Sequence, residues 1–148
     1  MSKIITQSAE ETKQVASELL SRLNGTNILL LYGDLGSGKT TFSQGIGEAL
    51  GISQRMVSPT FLLVRKYDLQ PNGKENMSFH SLYHIDLYRV GGDAQLDELG
   101  IFDFIQNPSN LVVIEWAERM GTRIPLKRID VKFETLEGEQ REISISEL

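Results

Sequence analysis

No cysteine occurs in this sequence. Disulfides and cysteine-ligated zinc are therefore excluded, and the absence fits a reducing compartment. Positive charge is scarce too: 15 Lys and Arg stand against 20 Asp and Glu, a formal net charge of -5. A chain with that balance does not grip nucleic acid alone through a basic surface, although a basic partner can supply the affinity. Long hydrophobic runs are also missing. The longest span about five or six residues, against the ~20 that a membrane-crossing helix needs. The first residues, MSKIITQSAEE, hold no apolar core of signal-peptide length. A soluble, cytoplasmic protein that does not enter a membrane is the expectation.

What is present is ordinary in amount. Of 148 residues, 40% are hydrophobic and 24% charged, enough for a normal core. One domain over residues 1–148 is expected.

The informative stretch is GDLGSGKTT, Gly33 to Thr41. It follows the apolar run NILLLY and precedes FSQGIGEALG, which reads as a helix. The spacing from Gly33 to Gly38-Lys39-Thr40 is that of a phosphate-binding loop. Glycines let the backbone curl so that successive N–H groups face an anion. The helix that follows adds its positive end. Lys39 would reach the β- and γ-phosphates as a point charge. Thr40 would place a hydroxyl on Mg2+, which prefers oxygen. The plain alternative is a glycine-rich turn carrying a lysine, but a buried strand before it and a helix after it are the context the motif needs.

Periodicity supplies the frame. Lys3 to Gln7 reads as a strand, and Ser8 to Leu23 as a helix with Ser8 and Glu11 forming a capping box. Val15, Leu19, Leu20 and Leu23 share one face of it, and Asn24-Gly25 ends it. NILLLY reads as a central strand buried on both faces. A helix over about Lys39 to Leu50 stops near Gly51. Ser58 to Leu69 and Phe79 to Val90 read as strands joined by a hairpin tip, PNGKENMS, with Asn72-Gly73 in it. One or two short helices fall in Gly91 to Gln106. Asn110 to Glu118 is an apolar strand that ends in an acid, and Arg128 to Ile145 is a hairpin turning at Glu137-Gly138. This order predicts a three-layer α/β phosphate-loop domain with a mixed sheet.

Hydrolysis of a nucleotide needs an acid near Mg2+ and a group that orients water. Glu115, at the end of LVVIE, is one candidate; its plain alternative is a solvent-facing strand end. YHIDLYR, Tyr83 to Arg89, holds the other. His84, Asp86 and Tyr88 would share one face of a strand, and Asp86 could orient water or join the Mg2+ shell. A His-x-Asp pair can bind a metal directly, but more often it is a polar network at a strand end. From these residues alone Asp86 and Glu115 could exchange roles. In SPTF, Thr60 presents a hydroxyl twenty positions past Thr40. Many nucleotide switches place a Mg2+-sensing threonine there; a turn into a strand is the alternative.

GDLGSGKTT, SPTF, HIDLYR and VIEWAE, in that order, resemble the bacterial TsaE (YjeE) family. The likeness runs from the first helix to the C-terminal hairpin. The loop is generic, whereas SPTF, HxDxYR and EW together are specific. The hairpin tip PNGKENMS is longer than the family pattern, which affects only the detail of partner contacts. The resemblance implies the ATPase subunit of the machinery that makes N6-threonylcarbamoyladenosine in tRNA, working with TsaB and TsaD and meeting tRNA only through that assembly. It implies that Gly33, Leu35, Gly36, Ser37, Gly38, Lys39, Thr40 and Thr41 hold ATP, with Thr60 and Trp116 beside it. Thr40 and Glu115 would be Mg2+ ligands, and Asp86, with Lys39, would serve hydrolysis. The adenine would lie near Ser8 to Thr12, and the Gly138 to Arg141 turn would approach the nucleotide.

Three rivals share the phosphate loop. A small-molecule kinase would use Arg119, Arg123 and Arg128 in a lid over the transferred group, although ERMGTRIPLKR is short for one. A GTP switch would use Asp97 to Gly100, DELG, but no guanine-reading Asn-Lys-x-Asp follows. An ATP-bound scaffold would turn over only incidentally.

Overall fold

The computed structural model describes residues 2–52, 56, 63–70 and 79–147. SPTF with Thr60, and the hairpin tip with Asn72-Gly73, lie outside the described residues.

Strands β1 (Ser2–Thr6), β2 (Ile28–Tyr32), β3 (Val64–Asp68), β4 (Ser81–Asp86), β5 (Asn110–Glu115), β6 (Ile129–Thr135) and β7 (Arg141–Glu147) form one mixed sheet. Its order is β1-β7-β6-β2-β5-β4-β3. β6, β2, β5 and β4 run parallel at the centre, and β1, β7 and β3 add antiparallel edges.

Helices α1 (Ala9–Leu20), α2 (Lys39–Ala49), α3 (Asp93–Leu99) and α4 (Ile101–Gln106), with 3-10 turns over Ala117–Arg123 that kink at Gly121, complete the described elements.

The central strands are apolar throughout because both faces are covered. Alternate side chains go to opposite sides. Leu29 and Leu31 of β2 join Leu111 and Val113 of β5 against α1 and α2. Ile28, Leu30, Val112 and Ile114 join Leu96 and Ile101 from α3 and α4 on the other face. Two apolar layers on one sheet make the expected three-layer α/β fold.

Ser8 caps α1: its hydroxyl accepts the Glu11 N–H at 3.2 Å. The Glu11 carboxylate reaches back to the N–H of Gln7 at 3.1 Å, one residue before the cap and not on it. The helix ends at Leu20, three residues short of the sequence expectation. The Ser21 hydroxyl donates to the Glu18 carbonyl at 2.7 Å, and Arg22 N–H bonds Leu19 O. That tightened turn stops the helix before Asn24-Gly25. Leu23 is nonetheless buried with Val15, Leu19 and Leu20.

Gly45 sets the distance between α1 and α2. A Cβ there would stand 2.7 Å from Lys13 Cα and 2.9 Å from its carbonyl oxygen. The close approach holds the start of α1 beside the start of α2, where the site lies.

Candidate nucleotide site

The site lies at the carboxyl ends of β2, β4 and β5, where open α/β sheets bind ligands. Register fixes the arrangement. Leu31 at the end of β2 pairs with Glu115, and Asp86 pairs with Glu115 from the other side.

β2 leads directly into the loop. Gly33 adopts φ +149, and a Cβ there would stand 2.6 Å from Ser37 Oγ and 2.8 Å from the Phe133 carbonyl oxygen. Only glycine lets the chain turn that close to β6. Ser37 N–H returns to the Asp34 carbonyl at 3.1 Å, and α2 starts at Lys39. Phe42 of α2 packs edge-on against Phe133 of β6, ring centres 5.3 Å apart, which seats the helix on the sheet.

Lys39 is buried and folded into the loop. Its ammonium donates to the carbonyls of Gly33 and Asp34, the second at 2.8 Å. It also lies 4.5 Å from the ring centre of Trp116, a cation–π contact. Burial pushes its pKa down, while Glu115, Glu118, Asp86 and Asp34 push it back up. Trp116 holds a left-handed backbone, φ 59 and ψ 44, right after β5. Tyr88 stacks obliquely on its ring at 4.9 Å.

The Thr40 hydroxyl donates to Glu115 Oε1 at 3.1 Å. The second carboxylate oxygen of Glu115 meets His84 Nε2. Glu115 is 2% exposed and His84 fully buried. Asp86 lies on the next strand and accepts the Tyr88 N–H at 2.9 Å through Oδ1. That side-chain turn ends β4 at Asp86, so the strand does not run on to Val90, and Tyr88 does not share a strand face with His84 and Asp86. Of the two acids, Glu115 is the one that Thr40 touches. Thr40 Oγ1 and Glu115 Oε1 form a pair of hard oxygens suited to Mg2+, which usually takes one or two protein ligands and fills the rest with water and phosphate. Among the described residues no group of three or more acids and histidines gathers as a metal cage.

A cavity of about 430 Å3 joins these parts. Leu35, Gly36, Gly38, Lys39, Thr40 and Thr41 form one wall, and Asp86, Glu115 and Trp116 another. Ser8, Ala9 and Thr12 of α1 face it, as do Glu139 and Arg141 of the C-terminal hairpin. Ser37 is buried within the loop. Two features were not legible in the sequence as contacts. His84 against Glu115 is one; its signal was the shared strand face with Asp86. The other is Arg141, whose guanidinium donates to the carbonyls of Gly138 at 3.0 Å, Gln140 at 2.8 Å and Gly36 at 3.2 Å.

Two of the three arginines of the kinase reading are engaged elsewhere. Arg123 binds Asp97 at 2.8 Å and lies over Phe102. Arg128 binds Asp130 at 3.0 Å. Asp97 of DELG sits inside α3 and not at the end of a buried strand.

Sheet, loop and acid together define an α/β protein of the phosphate-loop class. A family model described as Threonylcarbamoyl adenosine biosynthesis protein TsaE matches residues 6–143. The chain belongs to the TsaE family, which serves formation of threonylcarbamoyladenosine in tRNA. It is 31% identical to the tRNA threonylcarbamoyladenosine biosynthesis protein TsaE of Bacillus subtilis (strain 168), over 95% of this chain and 82% of that one. It is 34% identical to the protein of the same name from Rickettsia bellii (strain RML369-C), over 98% of this chain and 94% of that one. The crystal structure of Bacillus subtilis YdiB is similar with a TM-score of 0.71 at 30% identity, covering 97% of this chain and 83% of that one.

Proposed function

We propose that this chain is a Mg2+-dependent ATPase that works in the cytoplasm with TsaB and TsaD, hydrolysing ATP to reset the threonylcarbamoyl-transferring assembly between turnovers. It would meet tRNA only through that assembly, in keeping with its net charge of -5. The observation that carries the reading is the Thr40–Glu115 hydrogen bond at the mouth of the phosphate loop, with Asp86 on the adjoining strand.

Each residue then has a task. The loop from Gly33 to Thr41 binds the phosphates through its N–H groups and the start of α2. Lys39 exchanges the carbonyls of Gly33 and Asp34 for phosphate oxygens. Thr40 and Glu115 hold Mg2+, which neutralises charge on the β- and γ-phosphates when bound. Asp86 orients the attacking water. Trp116 keeps the lysine on the loop side of the cavity. Thr60 is assigned the sensing of the γ-phosphate and its cation. No helix among the described residues is long and apolar enough to cross a membrane.

The test is ATP turnover by the purified chain, alone and with TsaB and TsaD, against Lys39→Ala as the blank. Slow turnover alone that rises with the partners supports a partner-gated ATPase. Turnover indifferent to the partners removes the gating and leaves the nucleotide site.

A further inference from the structure

We infer that His84 is a positioning residue for the cation site: its Nε2–H fixes the carboxylate of Glu115 so that the other oxygen faces Thr40. The inference rests on the reading of Thr40 and Glu115 as the pair that holds Mg2+.

Register carries the first part of the argument. His84 pairs with Val113 and Asp86 with Glu115, so His84 stands diagonally behind Glu115 on the same face of the sheet. A long side chain spans that diagonal. The ring meets the acid inside the protein. It is fully buried, and the cavity is lined by Glu115 but not by His84.

Chemistry carries the second part. Glu115 Oε2 meets His84 Nε2, while Oε1 accepts from Thr40 at 3.1 Å. An ionised carboxylate only accepts hydrogen bonds, so the proton of a neutral ring belongs on Nε2. The other ring nitrogen, Nδ1, has no hydrogen-bond partner among the described residues. In that tautomer the ring directs its N–H at Glu115. A buried carboxylate needs such a donor to satisfy its oxygen and to keep one orientation. Partners of this kind, one step behind a metal ligand, set its direction and commonly alter metal affinity by about 10- to 100-fold.

The experiment measures ADP affinity by calorimetry in EDTA and at rising Mg2+, for the full chain and for His84→Gln, His84→Asn, His84→Leu and Glu115→Gln. A Gln amide nitrogen reaches the place of Nε2, whereas the Asn amide falls short. His84→Asn and His84→Leu are expected to need about tenfold more Mg2+ for the metal-dependent gain in affinity. His84→Gln should stay within about twofold of the parent, and ADP affinity in EDTA should be unchanged in all three. If His84→Leu does not fold, the Gln and Asn pair decides. Gln and Asn behaving alike overturns the inference, as does an equal loss of ADP affinity in EDTA, which marks a packing role. If Glu115→Gln keeps the parental Mg2+ requirement, the metal reading itself fails and the inference with it. If Glu115→Gln raises that requirement and the His84 variants do not, only the inference fails.

Discussion

The Thr40 hydroxyl rests on Glu115 Oε1 at 3.1 Å across seventy-five positions of sequence. The contact separates two acids that stand side by side at the ends of β4 and β5. Glu115 meets Thr40 in the first turn of α2, whereas Asp86 holds the turn to Tyr88 through Oδ1. The two proposed roles, metal binding and water orientation, therefore fall on different carboxylates.

That division predicts different phenotypes. Asp86→Ala should lower ATP turnover by about 100-fold, with ADP affinity held within about threefold. Lys39→Ala should abolish both, because it removes the cation proposed to reach the phosphates. Calorimetry with ADP and a turnover assay on the same preparations check this. Loss of ADP binding in Asp86→Ala equal to that in Lys39→Ala would refute the separation.

Much of this was legible in sequence, and the reason is locality. The loop, the Ser8 cap and the continuous apolar runs of NILLLY and LVVIE are each written within a dozen neighbouring residues. Leu29 and Leu31 facing one layer, with Ile28 and Leu30 facing the other, follow from strand pleating alone. The contacts that cross strands were not legible. His84 reaches Glu115 only because β4 lies parallel to β5 in one register, and no local pattern states which strands pair. Arg141 reaches Gly36 only because the β6–β7 hairpin folds back beside the loop. The end of β4 was also missed: Leu87 and Val90 are buried and extend the apolar pattern, yet the Asp86 side chain turns the chain.

Arg141 should matter for affinity more than for folding. Its guanidinium clasps the Gly36 carbonyl and the hairpin carbonyls of Gly138 and Gln140, so it ties the hairpin to the loop. A hydrogen bond from a charged donor contributes about 1.5 kcal/mol or somewhat more when well shielded. Arg141→Gln is expected to weaken ADP binding by about three- to tenfold, with the melting temperature lowered by less than about 3 °C. Unchanged ADP affinity would mean that the loop is held by its own turn.

Ser8 offers a purer stability test of the fold around the cavity. Its hydroxyl caps α1 by accepting the Glu11 N–H. Ser8→Ala should cost about 1 kcal/mol, read from urea unfolding, while Ser8→Asp should recover most of it, since its carboxylate also favours a helix start. If Ser8→Ala is as stable as the parent, the Glu11–Gln7 contact alone secures the helix start.

Tyr32 predicts the alkaline behaviour. It ends β2 just before the loop, and its hydroxyl is pushed up to about 12 from the ordinary 10.0, by burial first and by the charge of Asp130 second, with Arg128 opposing. The sign follows from linkage. Below pH 10 the phenol is protonated in both folded and unfolded chains, and its contribution to stability is fully present. Between pH 10 and about 12 the unfolded chain ionises while the folded chain resists, so that contribution is lost. A rise of this size corresponds to about 3 kcal/mol, which solvent at the partly exposed ring reduces to about 1–2 kcal/mol. Tyr32→Phe should therefore flatten the fall in urea-unfolding stability across this window by about that amount. The absorbance of tyrosinate in the parent minus that in Tyr32→Phe should titrate with a midpoint at about 12. A midpoint at the ordinary 10.0 would show that Tyr32 is solvated and that Asp130 and Arg128 do not shape it.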